Sequence, residues 1–460
     1  MTTDQPQPGD LRKSLGVWLA LLALMVCAAV MIRIDASRDS VLPLQVKAVP
    51  PVVSPATGGL TPPRSEESLK GDPVAVSPTR TKSAESVTSD STSSPLIRVN
   101  IMPSGTKTLQ MEIRGPYSVR LFGTSRELGT GNGLATSKVQ STPNGLKVGD
   151  KTFNATQLEI VPQRDSSVRV DDHLYRGTMR LFRRKDGLVS AVNVLPLEDY
   201  LASVVDSEMP ATFPEAARQA QAIVGRTYAL YQISHADPAA VYDLFSSQRS
   251  QKYLGVEYTE AGRRLAGESA ASRLAVAATR GVVCVYRGQL FCTYYSAVCG
   301  GQTTSGSEIF SDAAPVLKSV PCEWCRDSEY YRWTAEMDRG EFLKGTQSLG
   351  SLSGLTSIRQ TAGPGGGTIS RFRVTDNKQK SVDVSSIELR ERFPTALRSP
   401  HFTLTLQKDR VRADGRGHGH GVGFCQWGAR GQALNGRTVD EIVRHYYPGA
   451  ETMVIENGGK

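Results

Sequence analysis

The chain has 460 residues, 39% of them hydrophobic and 22% charged, enough for roughly two or three compact units and too apolar for disorder throughout. Its 54 basic residues outweigh 45 acidic ones, a net charge of +9 that favours an anionic neighbour such as cell wall, phospholipid or nucleic acid without choosing among them. Seven cysteines are too few for a disulfide-dense scaffold, and a single long apolar stretch excludes a multi-pass transporter.

Residues 1–13 read as a short cytoplasmic terminus. From Ser14 to Ile32 no residue is charged, so a helix over 14–34 is long enough to cross about 30 Å of hydrocarbon. Arg12 and Lys13 precede it and Asp35 and Asp39 follow, which orients the bulk of the chain to the exported side, periplasm or cell wall. The reading favoured is an uncleaved signal anchor in the cytoplasmic membrane; the alternative is a cleaved signal peptide, but no small-x-small site follows the apolar run. Residues 35–95 contain no Phe, Tyr or Trp and are rich in Pro, Ser and Thr, the composition of a disordered linker that gives a tethered domain reach.

Residues 96–195 read as β-rich. Alternation at Ile97–Ile101, Leu146–Val148, Leu174–Phe182 and Leu188–Leu195 predicts strands, with hairpin signals at Asp186-Gly187 and a turn at Gly129-Thr130-Gly131-Asn132-Gly133. His173 reads as a solvated loop histidine. The basic run Arg180–Lys185 lacks interleaved aromatics, which argues for a solvated or wall-facing strand and against nucleic acid.

In the core, 196–450, Leu197–Val205 reads as a short helix and Pro214 opens a second whose Ala216, Ala220, Ile223, Thr227 and Leu230 make one inward face. Glu208 then falls on a loop between two anchored helices, a support suited to a general acid, although most glutamates are simply solvated. Arg226 on the second helix is open to two readings, a structural ion pair or a contact to an anionic sugar substituent. Residues 451–460 read as a tail.

Two blocks carry a resemblance. Leu197-Glu198-Asp199-Tyr200-Leu201, Ser207-Glu208-Met209-Pro210, Ala220-Gln221-Ala222-Ile223 and Arg226-Thr227-Tyr228-Ala229-Leu230 form the first; Gly417–Ala429 with His445-Tyr446-Tyr447-Pro448-Gly449 forms the second. Together they closely resemble the SpoIID/LytB family of bacterial cell-wall proteins. The resemblance implies an α+β, β-rich domain with helices around a glycan groove. It implies a lytic transglycosylase that cuts peptidoglycan strands, preferring those stripped of stem peptides, with Glu208 as the catalytic residue. Arg226 matches the arginine following it, and Gln251 and Tyr253 match a Gln-x-Tyr-x-Gly segment that lines a sugar groove or anchors a turn. Lys318 is retained from a family Pro-Tyr-Leu-Lys/Arg-Ser-Val pattern, but Val316 replaces its tyrosine, a departure that bears on full activity. His420 and Gln426 fall in the second block as substrate-binding candidates.

His418 and His420 invite a metal reading, because alternate residues of a strand share a face, but only His420 matches the family's regular histidine and a groove role is favoured. Cys322-Glu323-Trp324-Cys325 has zinc-ligand spacing, and Cys299 lies in a family Cys-Gly-Gly segment near which some members carry zinc. Cys292, Cys425 or a histidine are candidates for a fourth ligand of a structural Zn; a disulfide is the rival. The glycan chemistry itself requires no cofactor. The partners expected are peptidoglycan glycan strands, the membrane through the N-terminal helix and, in the alternative reading of a non-catalytic glycan-binding enhancer, a cell-wall amidase.

Overall fold

The computed structural model describes residues 46–48, 94–347, 349–365 and 367–455. The expected membrane span and the C-terminal residues 456–460 lie outside them, as does the stalk apart from a strand at Val46–Ala48 and its last two residues. No helix among the described residues is long and apolar enough to cross a membrane.

The front half is β-rich, as its alternation predicts. Thr108–Leu121 lies at the centre of a 13-stranded sheet, between Gln157–Pro162 and Ser167–Val170 and paired also with Glu127–Thr142. Thr178–Arg183 and Val189–Pro196 form the expected hairpin, with Gly187 at φ +79° in its turn. Two expectations fail here. The glycine run 129–133 is strand, not turn, because Gly131 leaves room for the Tyr117 ring, whose Cε1 lies 2.6 Å from where a Cβ would sit. His173 is in a strand, its Nδ1 3.0 Å from the Leu254 carbonyl and its ring stacked on Tyr175 and Tyr258. In the basic run, Arg180 pairs with Glu159 and Arg184 with Asp186, so much of its charge is neutralised in place.

Helix α1, Leu197–Glu208, sends Leu197, Leu201 and Val204 into the core beneath this sheet. Helix α2, Glu215–His235, passes between that core and a second one containing Val298, Phe424, Ile442 and Tyr446. Ala222 and Ala229 face the first core and Ala217, Ala220 and Val224 the second, so every residue from Ala217 to Leu230 is buried rather than one face alone. Helix α3, Ala270–Ala278, packs against both. A third core belongs to a lobe that leaves and returns through the paired residues Trp333 and Gly415; it holds α4, Arg339–Thr346, and α5, Ser386–Arg392, over two three-stranded sheets. The chain then closes with α6, Gln426–Leu434, and α7, Val439–Tyr446. Its last strand, Glu451–Ile455, pairs with Val46–Ala48 and Val282–Tyr286, so the expected tail is partly sheet.

Burying α2 on all sides carries Arg226 inside. Its guanidinium meets Glu198 of α1 through two hydrogen bonds, 2.8 and 2.7 Å, and donates at 3.0 Å to the Val282 carbonyl. The arginine is 0% exposed and all three guanidinium nitrogens are bonded inside the protein, so Arg226 is a structural ion pair and not a sugar contact. Removing one partner strands the other charge in the interior, and Arg226→Met is expected to lower stability by about 3–5 kcal/mol, read as a drop in denaturant midpoint. An unchanged midpoint with altered glycan binding would return Arg226 to the groove.

Candidate active site

Glu208 is the last residue of α1 rather than a loop residue. Two residues earlier, Asp206 is bonded to buried Arg218 of α2 at 2.6 Å and to the Ser269 backbone and the Ser272 hydroxyl at the start of α3, which fixes the end of α1. The Glu208 carboxyl accepts from the Lys252 backbone N–H at 3.0 Å on Oε1 and from the Gln426 amide at 3.2 Å on Oε2. Burial nevertheless pushes its pKa above the ordinary carboxylate value, outweighing those two donors. Its position at a helix C-terminus, with no basic residue in the last turn, acts in the same direction.

The carboxyl opens into a cavity of about 340 Å³ lined by Tyr228, Tyr294, Tyr295, Phe310, Arg249 and Arg390, with His418 and His420 on one wall. Glu208 is the only carboxylate among its lining residues. The buried Tyr295 hydroxyl lies beside Glu208 without closing a hydrogen bond, and burial holds it as a neutral phenol. Tyr294 and Phe310 stack with ring centroids 3.7 Å apart, and the His420 ring meets Phe310 edge-on. A larger recess of about 410 Å³ beside Trp333 and Arg416 is chemically quieter: its Asp414 is bonded to Arg412 and Thr334, and burial pushes His401 down to about 3.

Of the residues singled out from the sequence, Glu208, His420 and Gln426 come together around the cavity. Gln251 and Tyr253 do not line it. Both are buried, Gln251 bonded to the Tyr200 hydroxyl and the Gly225 carbonyl and Tyr253 to Asn193, and between them they set the Lys252 N–H that holds Glu208. They position the Glu208 carboxyl from behind the cavity wall. Arg226 faces elsewhere, and Lys318 is exposed and outside the lining, beside buried Val316. Glycines at positive φ, including Gly419 at +96°, interrupt the expected strand, yet both histidine rings reach the cavity wall. His418 packs on Tyr330, while His420 accepts from the Val422 N–H at 3.0 Å and is pushed down to about 4 by burial. Tyr294, Tyr295, Phe310 and Arg390 were not foreseen. A pair of tyrosines just ahead of Cys-Gly-Gly was the signal available for the first two; nothing in the local sequence marks Arg390.

A family described as stage II sporulation protein, SpoIID, matches residues 185–286. An uncharacterized protein of Brachyspira hyodysenteriae is 29% identical over 345 residues, 75% of this chain and 89% of its own length. Stage II sporulation protein D of Bacillus subtilis is 30% identical over 280 residues, covering 57% of this chain and 75% of that protein. The chain belongs to the SpoIID family. An amidase enhancer of Bacillus subtilis is also similar, 23% identical over 295 residues, 54% of this chain and 39% of the enhancer. The SpoIID match contains α1, Glu208, α2 and the Gln251–Tyr253 segment, the elements that carry and support the carboxyl.

Behind the groove of this SpoIID member, Cys299, Cys322, Cys325 and Cys425 bring their sulfurs within 4.8 Å of one another, all buried. The Cys299–Cys325 separation is 3.7 Å, and tetrahedral thiolates about 2.3 Å from zinc stand about 3.8 Å apart, so the four residues fit a structural tetrathiolate site. Cys425 is the fourth donor among the candidates; Cys292 lies apart, buried near Gln232, and none of the described cysteines is in a disulfide. Within the cluster the neighbouring thiols hold Cys322 and Cys325 below the ordinary thiol range, while Cys299 and Cys425 are held above it. Cys425 caps α6, whose first residue is Gln426, so the cluster is one bond away from the carboxyl's amide donor. Purified without chelator, the full chain is expected to retain about one Zn²⁺, with Cys322→Ser and Cys425→Ser each losing metal and melting at lower temperature. A metal-free chain that has lost free thiols to disulfides would contradict this.

Proposed function

We propose that the chain is a membrane-anchored, exported peptidoglycan lytic transglycosylase that cleaves the bond between N-acetylmuramic acid and N-acetylglucosamine in strands without stem peptides. The observation that carries this reading is a lone carboxyl, buried and shifted toward its protonated form, at the wall of an open, aromatic-lined cavity. Hydrolysis by the common route uses two carboxylates flanking the bond. One carboxyl suffices when the substrate supplies its own nucleophile.

Glu208 donates its proton to the bridging oxygen as the C1–O bond of the muramic residue breaks. The resulting carboxylate, held by the Lys252 N–H and the Gln426 amide, takes the proton of the muramic C6 hydroxyl, whose oxygen bonds C1 and closes a 1,6-anhydro ring. Water is neither consumed nor released. Tyr294 and Phe310 offer apolar faces to a pyranose, and neutral His420 offers an uncharged wall.

A second reading, a glycan-binding enhancer of a cell-wall amidase, is favoured by the likeness to an amidase enhancer and by Val316 in place of the family tyrosine. Incubating the full chain with denuded glycan separates the two. Anhydromuramyl ends are expected from the native chain and none from Glu208→Gln; intact strands bound equally by both proteins favour the enhancer.

The pH dependence has a fixed sign. The acid acts protonated, so kcat/KM falls as pH rises through the raised pKa of Glu208, above the ordinary value of about 4.3. Gln426 lowers that pKa by donating to the charged form, so Gln426→Leu is expected to move the alkaline limb to higher pH, by up to about one unit. A shift to lower pH would contradict the assignment of Glu208 as the acid.

A further inference from the structure

The cavity around Glu208 contains two guanidinium groups and no ionised partner for either among its lining residues. Arg249 is exposed and lies over the Phe245 ring at 4.5 Å. Arg390 differs. It is half-buried on α5, a helix of the 333–415 lobe whose start is locked by a Ser385–Glu388 capping box. Among the described residues it makes no hydrogen bond or ion pair, whereas Arg373, Arg410 and Arg412, on the two sheets of the same lobe, are each bonded to a carboxylate. The neighbours its charge reaches in the groove are His418 and His420, both held below the ordinary histidine value; Glu329, the carboxylate that acts on His418, makes no ion pair with Arg390, and no lining residue balances it.

A partly desolvated guanidinium with no partner is costly, and an anion from outside removes that cost. Under the reading of the site given above, the occupant is a chain of N-acetylated sugars. Both rings are neutral except at one point: the lactyl ether on C3 of muramic acid ends in a carboxyl. That group is free when no stem peptide is attached and is an uncharged amide when one is. It sits on the same ring as the reacting C1, within the reach of one cavity. The planar fork of arginine matches a carboxylate with two parallel hydrogen bonds and has no comparable partner in an amide.

We propose that Arg390 binds the lactyl carboxylate of the muramic residue at the cleavage site, and so both positions that ring against Glu208 and selects strands lacking peptide there. The inference rests on the proposed glycan substrate. It assigns to the lobe, which lies outside the residues matched to SpoIID, the reading of an anionic substituent that was one of the two roles open to Arg226.

The test separates binding from cleavage. Full-length Glu208→Gln protein, and the same protein also carrying Arg390→Gln, are titrated with denuded glycan strands and with the same strands after their lactyl carboxyls have been converted to methylamides. With Arg390 present, affinity is expected to fall on the order of ten- to a hundred-fold on amidation, the weight of hydrogen bonds to a charged group. With Arg390→Gln, the free-acid strand should already bind that weakly, and amidation should cost little more. Arg390→Lys should restore part of the preference. Equal binding of acid and amide strands by the arginine-bearing protein, or an Arg390→Gln loss of the same size on both, would overturn the proposal. These readouts stand whether or not native protein forms anhydro ends, so failure of the cleavage reading and failure of the Arg390 assignment are told apart.

Discussion

The structure turns on keeping one carboxyl out of water without neutralising it for good. Glu208 has a backbone donor on one oxygen and a side-chain amide on the other, yet burial outweighs both and favours the protonated form. Stronger pairing, such as an arginine against it, would leave an inert carboxylate. Weaker support would let it swing into solvent. The buried arginines Arg226 and Arg218 are occupied by Glu198 and Asp206, and these pairs brace α1 against α2 along the helix that ends in Glu208.

The two donors arrive from opposite ends of the core. The Lys252 N–H is placed by Gln251 and Tyr253, anchored on Tyr200, Gly225 and Asn193 under the large sheet. Gln426 is placed by α6, which Cys425 caps from within the four-cysteine cluster. The carboxyl is therefore held jointly from the β-rich core and from the side of the four-cysteine cluster.

Much of this was legible in the chain. Period-two alternation gave the strands around 97–101 and 188–195, Asp186-Gly187 gave the hairpin, and Pro214 gave the start of α2. Glu208 and Gln426 were marked by motif, two of the four clustered cysteines, Cys322 and Cys325, by spacing, and Cys299 by the family segment it falls in. What failed did so for long-range reasons. Arg226 could be an ion pair or a sugar contact until the burial of α2 on both sides was known. Gln251 and Tyr253 point inward because Lys252 must present its N–H, which no periodicity reveals. The Gly-His block suggested a regular strand, and positive φ at its glycines makes it irregular backbone that still brings both histidines to the cavity wall. Arg390 comes from a lobe folded around its own core, 182 positions after Glu208 in sequence, and only tertiary packing places both at one cavity.

The account's central claim is that a single carboxyl acts on a substrate that provides its own nucleophile. Digestion of denuded glycan in ¹⁸O-labelled water, followed by mass spectrometry of the new ends, tests it most directly. The account predicts anhydromuramyl ends free of ¹⁸O, formed by the native chain and not by Glu208→Gln. Reducing ends carrying ¹⁸O at C1 would show that water is the nucleophile and contradict it.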